Sequence, residues 1–557
     1  MEKISGAQIV AETLIEQDCR VVFGYPGGQV LNIFDALYQK SDRIEVVLTA
    51  HEQGASHAAD GYARVTGKVG VVVATSGPGA TNLVTGLATA YLDSIPIVAI
   101  TGNVPCDLLG RDSFQEVNIV DITKSITKRN FIVKDVTELA DTIRLAFRTA
   151  ASGRPAPVLI DIPKDIQVAL AEFEQKAAEK PFPIKLADEN ELKKAADMIA
   201  AAKRPYLYIG GGVITAEAGA EVIALAEKAD APIGSTLMGL SAVPDDHPRF
   251  LGMQGMHGRY ASSVAQDEAD LVITAGARFS DRATGDKERY CARAKMIHID
   301  VDAKELNKNI PVDLAIEGDL KDALARIAAL LPQKENSEWR ERIAALRETE
   351  RGFEKTSERL SPYRIVDRIS AAAKPDTIIA TDVGQHQMWT AQRYPFQKPR
   401  TFISSGGLGT MGYGLGAAIG AAKALGRHTI LITGDGSFGM NLNELATAVS
   451  QKLPLVIVIM NNGVLGMVRQ WQTLFYGKRY ANTTLNRKTD FVKLAEAFGA
   501  AGYRAETDAE LTDALANAFS SDGTTVIDCA VNCDEFVLPM LPPGGSIDDI
   551  ITELEVR

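Results

Sequence analysis

Two stretches of the chain carry residues suited to holding a metal-bound diphosphate. The apolar run TILIT ends in Gly434-Asp435-Gly436-Ser437-Phe438, NLNELATAVSQ reads as a helix, and the apolar run PLVIVIM ends in Asn461-Asn462. Both run ends would lie at the carboxyl edge of neighbouring parallel strands, where open α/β sheets bind ligands. Asp435 offers a carboxylate and Asn462 an amide oxygen. These are hard donors of the kind Mg²⁺ takes while keeping part of its octahedron for phosphate and water. Gly434 and Gly436 let the backbone approach a diphosphate, and the helix N-terminus adds a positive dipole end. A Gly-Asp-Gly turn alone is common in βαβ units. Followed by Asn-Asn one helix and one strand later, it is far more specific.

A second acid stands out nearer the N-terminus. Glu52, in Ala50-His51-Glu52-Gln53-Gly54-Ala55, follows the run EVVLTA and opens a helix of small residues. An isolated acid there ordinarily caps a helix or faces solvent. Beside a metal and diphosphate clamp it is also suited to proton exchange in a dry pocket.

The elements that must position these residues form three α/β blocks. Residues 1–171 carry RVVFGYP, EVVLTA, VGVVVATSG, IPIVAITG and APVLIDIP, which read as buried parallel strands. A polar tract from Glu172 to Asn190 reads as a linker. Residues 190–331 carry PYLYIGG, DLVITAG and KMIHIDVD, and 363–557 carry TIIATD, TILITGDG, PLVIVIMNN and TTVIDCAV. Between them, the charged tract from Pro332 to Leu360 predicts a solvated connecting helix. The first and third blocks share a strand rhythm that hints at duplication.

Composition narrows the function. A chain of 557 residues is long enough for three or four domains. A net charge of −12 without clustered Lys and Arg argues against nucleic acid. The N-terminus lacks the basic start and apolar core of a signal peptide. The uncharged stretch Ser404 to Ala422 is glycine-rich and reads as a turn plus buried helix, not a membrane span. Five sparse cysteines suit a reduced, cytoplasmic protein, and Cys529 with Cys533 read as packing.

With Glu52, TSGPGATN (Thr75 to Asn82) and the Gly434 to Asn462 segment in hand, the chain resembles the thiamine diphosphate decarboxylase and carboligase superfamily. Within it, the chain is similar to the large catalytic subunits of flavin-containing, biosynthetic acetohydroxyacid (acetolactate) synthases. The motifs that carry this cover nearly the whole chain: FGYPGG from Phe23, DSFQE from Asp112, ITKRN from Ile126, SGRPAPVLIDIPKD from Ser152, GMHG from Gly255, RFSDRATG from Arg278, DVGQHQMW from Asp382, SGGLGTMGYG from Ser405 and LGMVRQWQ from Leu465. The resemblance implies three doubly wound parallel-sheet domains. It also implies decarboxylation of pyruvate and condensation of the two-carbon fragment with pyruvate or 2-ketobutyrate, in branched-chain amino acid biosynthesis.

Site roles follow from the resemblance. Glu52 would act on N1′ of the aminopyrimidine, with Pro78 and Asn82 packed around that ring. Gly384, Gln385, His386, Gly436 and Ser437 would meet the diphosphate, with Val464 joining Asp435 and Asn462 at Mg²⁺. Gly409, Met411, Gly466 and Met467 would complete the thiamine pocket, Met411 holding the bent cofactor, although a methionine alone ordinarily fills core gaps. Gly27 and Gly28 would let the backbone near the reacting carbonyl; Phe114, Gln115 and Lys128 would line the entrance or acceptor site. Arg282 would take the second substrate's carboxylate, and Trp471 would favour 2-ketobutyrate, with Met256 beside them. A non-redox FAD would meet Arg154, Gly210, Gly211, Gly212, Met256 and His257. Gly276, Arg278, Arg282, Asp300, Val301 and Asp319 would complete that site. The implied assembly is a homodimer or homotetramer with its active site at the subunit interface, open to a small regulatory subunit.

Two residues depart from the family pattern. Ala50 stands where many relatives have Arg, and Ser280 where many have Asp. The competing readings are a flavin-free acetolactate synthase, a pyruvate oxidase and a non-catalytic flavin-binding scaffold.

Overall fold

The computed structural model describes residues 2–353 and 360–553. Among them are three six-stranded parallel sheets and one antiparallel pair, Glu2–Ser5 with Leu170–Phe173. The first sheet runs, edge to edge, Glu45–Leu48, Val21–Tyr25, Gly70–Ala74, Ile97–Asn103, Val158–Pro163 and Arg129–Ile132. The third runs Phe402–Ile403, Ile378–Thr381, Thr429–Gly434, Leu455–Asn461, Thr525–Ala530 and Ala501–Ala505. Numbered along the chain within each sheet, both follow the order 2-1-3-4-6-5. The rhythm shared by the outer blocks is therefore a shared topology.

The central sheet differs. It runs Phe250–Met253, Ile233–Ser235, Pro205–Ile209, Leu271–Ala275, Lys295–Asp300 and Leu314–Glu317, the order 3-2-1-4-5-6. Its order reverses between Pro205–Ile209 and Leu271–Ala275, the switch point at which such sheets open a ligand crevice. Inner strands such as Gly70–Ala74, Ile97–Asn103 and Leu271–Ala275 are buried throughout, which is why they read as unbroken apolar runs.

The outer domains meet along two helices, Glu52–Thr66 and Tyr413–Leu425. A methyl on Gly61 would overlap the Ala417 carbonyl, and one on Gly420 the Ala58 carbonyl. The helices therefore touch backbone to backbone, and small residues dominate both. Set into this contact is a buried ionic chain. Arg64 pairs with Asp60 at 2.5 Å and Asp93 at 2.8 Å, and the Tyr413 hydroxyl donates to Asp60 at 2.5 Å.

Between Phe173 and Glu189 there is no helix or strand, in keeping with a linker. The charged tract forms helix Ser337–Arg351, but it is not solvated all round. Trp339 and Leu346 are buried, and Trp339 Nε1 donates to the Pro205 carbonyl at 3.0 Å, fastening the helix to the central sheet. Residues 354–359 of that tract lie outside the described residues. Among the described residues, no helix is long and apolar enough to cross a membrane.

Candidate functional site

The strands Thr429–Gly434 and Leu455–Asn461 are neighbours, with Gly434 paired to Met460. That register sets Asp435 beside the Asn462 turn. The backbone N–H groups of Asp435, Gly436, Asn462 and Gly463 face the buried Asp435 carboxylate and favour its charge, yet burial outweighs them and pushes its carboxyl up to about 6. Asn462 Oδ1 accepts from Val464 N at 3.1 Å, so the Asn462–Val464 turn closes on itself beside the acid. Ser437 Oγ donates to the Val383 carbonyl at 2.9 Å. Gln385 Nε2 donates to Gln470 Oε1 at 3.0 Å and the Glu535 carbonyl at 2.8 Å, and Asn462 Nδ2 approaches Gln385 Oε1 at 3.4 Å. A side chain on Gly466 would collide with that Gln385 carboxamide.

His386 completes the group. A Cβ on Gly434 would stand 3.0 Å from its Nδ1, and one on Gly384 2.9 Å from its Cε1, so both glycines make room for the ring. Burial pushes the imidazole down to about 3, leaving it neutral, and Nε2 is buried without a partner among the described residues. Met411 reaches this group from the far side: its Cε lies 3.9 Å from where a Cβ on Gly436 would stand. Gly409 has φ of 69°, a left-handed conformation that favours glycine in the turn before Met411. Met467 is half-buried against the core.

A second group forms on the first sheet. Glu52 is the first residue of its helix, 9% exposed, and Asn82 Nδ2 donates to its Oε2 at 2.9 Å. Its Oε1 faces Gly79, whose Cβ would come within 3.1 Å. Pro78 opens the short helix Pro78–Thr81. Gly77 abuts Gln115, and Gln115 itself adopts φ of 57°. Gly27 presses on Thr75, whereas Gly28 faces open space and Phe114 is 85% exposed. Within one chain, no hydrogen bond among the described residues joins this group to the Asp435 group.

A third group joins the central and third domains. The Arg282 guanidinium lies 5.4 Å from the centre of the Trp471 ring. The Arg282 carbonyl accepts from Met256 N at 2.8 Å, and the Met256 carbonyl from Leu541 N at 2.7 Å. Burial, aided by Arg282, pushes His257 down to about 4. The segment from Val537 is tied in on both sides: Gln470 exchanges two bonds with the Val537 backbone at 2.9 and 3.0 Å, and Asp286 N donates to the Gly545 carbonyl at 3.1 Å. Gln470→Ala would strand both Val537 groups, costing about 1–3 kcal/mol of local docking. Limited proteolysis should then cut faster after Ala530, with global unfolding almost unmoved; an unchanged cleavage rate would refute this anchoring.

The remaining candidates line the carboxyl edge of the central sheet. Gly210 and Gly212 abut Gly276 so closely that no side chain fits between them. Asp300 ends strand Lys295–Asp300, with its carboxyl pushed up to about 6 by burial, and Val301 follows it. Asp319 caps helix Leu320–Leu330 by accepting from Asp322 N. Arg154 reaches this edge from the first domain, pairing with Glu305 at 2.6 Å and Asp302 at 3.4 Å. Lys128 is placed here too: its Nζ donates to the Arg154 carbonyl at 2.9 Å and to the Ser152 carbonyl, and burial pushes it down. Ser280 precedes the Arg282 helix without capping it.

Reasoning from residue types missed several members. Glu444 accepts from Ala50 N at 3.1 Å and lies against Gly54, so the third domain holds the start of the Glu52 helix. Burial pushes the Glu444 carboxyl up. Asp60 and Arg64, an acid and base four apart in an otherwise small-residue helix, were the legible signal for the ionic chain.

The chain matches three family models: the thiamine pyrophosphate enzyme N-terminal TPP binding domain over residues 4–122, the central domain over 192–327 and the C-terminal TPP binding domain over 382–529. It is 44% identical to the acetolactate synthase isozyme 1 large subunit of Escherichia coli, over 99% of this chain and 98% of that one. It is 42% identical to the acetolactate synthase large subunit of Haemophilus influenzae over the same shares. A probable acetolactate synthase large subunit of Methanocaldococcus jannaschii is 44% identical, over 100% of this chain and 96% of that one. The chain therefore belongs to the thiamine pyrophosphate enzymes, and within them to the acetolactate synthase large subunits.

Proposed function

We propose that the chain converts two pyruvates into 2-acetolactate and CO₂, or pyruvate and 2-ketobutyrate into 2-aceto-2-hydroxybutyrate and CO₂. The observation that carries this is the pairing of Arg282 with Trp471, a cation set on an apolar wall beside a thiamine enzyme's diphosphate clamp. When bound, thiamine diphosphate supplies the carbon nucleophile and the electron sink for CO₂ loss. The residues present fit it: among the described residues His386 Nε2 is a buried polar atom without a partner, and burial pushes the Asp435 carboxyl up to about 6. No cluster of three His, Cys, Asp or Glu occurs among the described residues. Mg²⁺ would be held by the Asp435 carboxylate, the Asn462 amide, the Val464 segment and phosphate oxygens, the hard oxygen donors it takes. Gln385, His386, Gly436 and Ser437 would bind the diphosphate, and Met411 would brace the bent cofactor.

Glu52 would exchange a proton at N1′, its carboxylate held between Asn82 and Gly79, and Pro78 would pack on the ring. In keeping with the resemblance, Glu52 would meet the clamp of a second copy, in a homodimer or homotetramer. Arg282 takes the acceptor's carboxylate in its planar fork, and the Trp471 face takes its alkyl group. FAD would lie across the central switch point against Gly210–Gly212, Gly276, Asp300 and Arg278, serving as structure; the 3-2-1-4-5-6 strand order supports this. The relatives' designation as large subunits supports a small partner subunit here as well.

The decisive experiment is incubation with pyruvate, Mg²⁺, thiamine diphosphate and FAD, then acid conversion of acetolactate to acetoin. Absence of acetoin overturns the assignment. Trp471→Ala is expected to lower the preference for 2-ketobutyrate over pyruvate by about 10-fold or more, because one methylene on an apolar wall is worth about 1–3 kcal/mol. Competition between the two keto acids measures it; an unchanged product ratio would remove Trp471 from the acceptor site.

A further inference from the structure

Three consecutive residues at the end of helix Val84–Asp93 each hold a different part of the molecule. The Leu92 carbonyl accepts from the Arg278 guanidinium. Asp93, with a fully buried side chain, accepts from Gly406 N at 3.1 Å and Gly407 N at 2.7 Å and pairs with Arg64 at 2.8 Å. Ser94, with φ of 61°, accepts from Arg154 Nε at 2.8 Å. Arg154 and Arg278 are two of the three arginines assigned above to the flavin. Gly406 and Gly407 begin the loop that leads to Met411.

That loop is fastened to the same helices at three places. Asp93 holds its start. Thr89 and Thr410 share a hydroxyl hydrogen bond of 2.7 Å, and the Tyr413 hydroxyl donates to Asp60, which is paired with Arg64. The glycine pair is what lets one carboxylate gather two amides. A Cβ on Gly407 would stand 2.9 Å from both Asp93 Oδ1 and Leu92 Cβ, and one on Gly406 would overlap Met238 Sδ. Two amide donors and a guanidinium satisfy the buried carboxylate, so its position and that of the loop are fixed together.

We propose that the Leu92–Asp93–Ser94 turn couples flavin occupancy to thiamine diphosphate binding, with Asp93 as the positioning residue of the 406–413 loop. The coupling rests on the flavin reading above. A flavin that orders Arg278 and Arg154 fixes the Leu92 carbonyl and the Ser94 hydroxyl. Asp93 lies between them, so the Gly406 and Gly407 amides, and Met411 beyond them, are held in register. Such coupling is reciprocal: each cofactor must tighten the other by the same factor.

The test titrates the flavin-stripped, full-length chain with thiamine diphosphate and Mg²⁺, with and without FAD, following tryptophan fluorescence; FAD uptake is read separately from its own emission. FAD is expected to tighten thiamine diphosphate by about fivefold or more in the parent chain. In Asp93→Asn, whose amide cannot accept from all three donors, that factor should fall to about one while FAD affinity holds within about threefold. No factor in the parent, or an undiminished one in Asp93→Asn, overturns the coupling. A parent chain that takes up no FAD overturns the flavin reading instead, and the coupling with it. If Asp93→Asn does not fold, Ser94→Ala removes only the acceptor for Arg154. Weaker FAD binding with a smaller factor then supports the link, and an unchanged factor refutes it.

Discussion

Glu52→Gln is expected to lower turnover by about 10²–10⁴-fold while leaving thiamine diphosphate affinity within a few-fold, because only the proton acceptor is lost. The carboxamide has the carboxylate's shape, and Asn82 Nδ2 can still donate to its oxygen as it does to Oε2 at 2.9 Å. Glu52 is also the first residue of its helix, so loss of its charge forfeits about 0.3–1 kcal/mol of favourable dipole interaction, which the fold tolerates. The proton exchange has no substitute nearby. Glu444, an acid that also reaches this helix start, faces Ala50 and Gly54 rather than Asn82. Pyruvate consumption and calorimetric binding of the cofactor, run on the same preparation, separate the two effects. A variant keeping more than about a tenth of the parent rate would place the proton exchange on another group.

What could be read from the sequence follows burial. The inner strands, covered on both faces, show as runs such as VGVVVA and PLVIVIM, and the structure finds them within a residue or two of those runs. The strands that escaped notice are at or next to sheet edges: Arg129–Ile132, Phe250–Met253, Ile233–Ser235, Leu314–Glu317, Phe402–Ile403 and Ala501–Ala505. They are short, and most carry polar or small residues, so periodicity gives them no signature. Glu45–Leu48 is the exception: EVVLTA reads as a buried strand, but it lies at the edge of the first sheet with Glu45 and Leu48 exposed. The other edge strands are specified by what they pair with, and pairing is non-local.

The site divides in the same way. Asp435, Asn462 and Glu52 sit at strand ends with a local spacing that chemistry can recognise. Asp93, Glu444 and Gln470 are ordinary polar residues on helices, and only the fold reveals that they gather backbone groups from distant segments. The glycine pair at 406–407 was visible, but its purpose was not, since nothing local says which carboxylate it admits. Lys128, which the resemblance sets at the entrance or the acceptor site, donates to the Ser152 and Arg154 carbonyls, contacts that no local spacing announces.

Removing the clamp carboxylate should matter little without cofactor and greatly with it. Asp435 is 7% exposed, and burial pushes its carboxyl up to about 6 although four backbone N–H groups face it, so its charge is held where burial opposes it. Its pKa is raised on folding, so ionisation works against the empty fold: stability is lost as pH rises from the ordinary carboxylate range through about 6. Asp435→Asn removes that penalty at neutral pH but turns an amide N–H₂ toward the same donors, and the two changes offset. The cofactor-free chain should therefore melt close to the parent. Binding should not survive so lightly. Loss of a residue that merely supports a metal ligand typically costs 10–100-fold, so loss of the ligand itself should weaken Mg²⁺-dependent thiamine diphosphate binding by about 100-fold or more. At cofactor a hundred times its Kd the parent gains about 2.7 kcal/mol of stability, and at the same concentration the variant gains about 0.4 kcal/mol or less. Thermal melts with Mg²⁺ and thiamine diphosphate together, and with EDTA in place of Mg²⁺, read both sides. A variant whose melt still rises with cofactor as the parent's does would move the metal to other ligands, whereas one that melts far below the parent without cofactor would make Asp435 a structural acid.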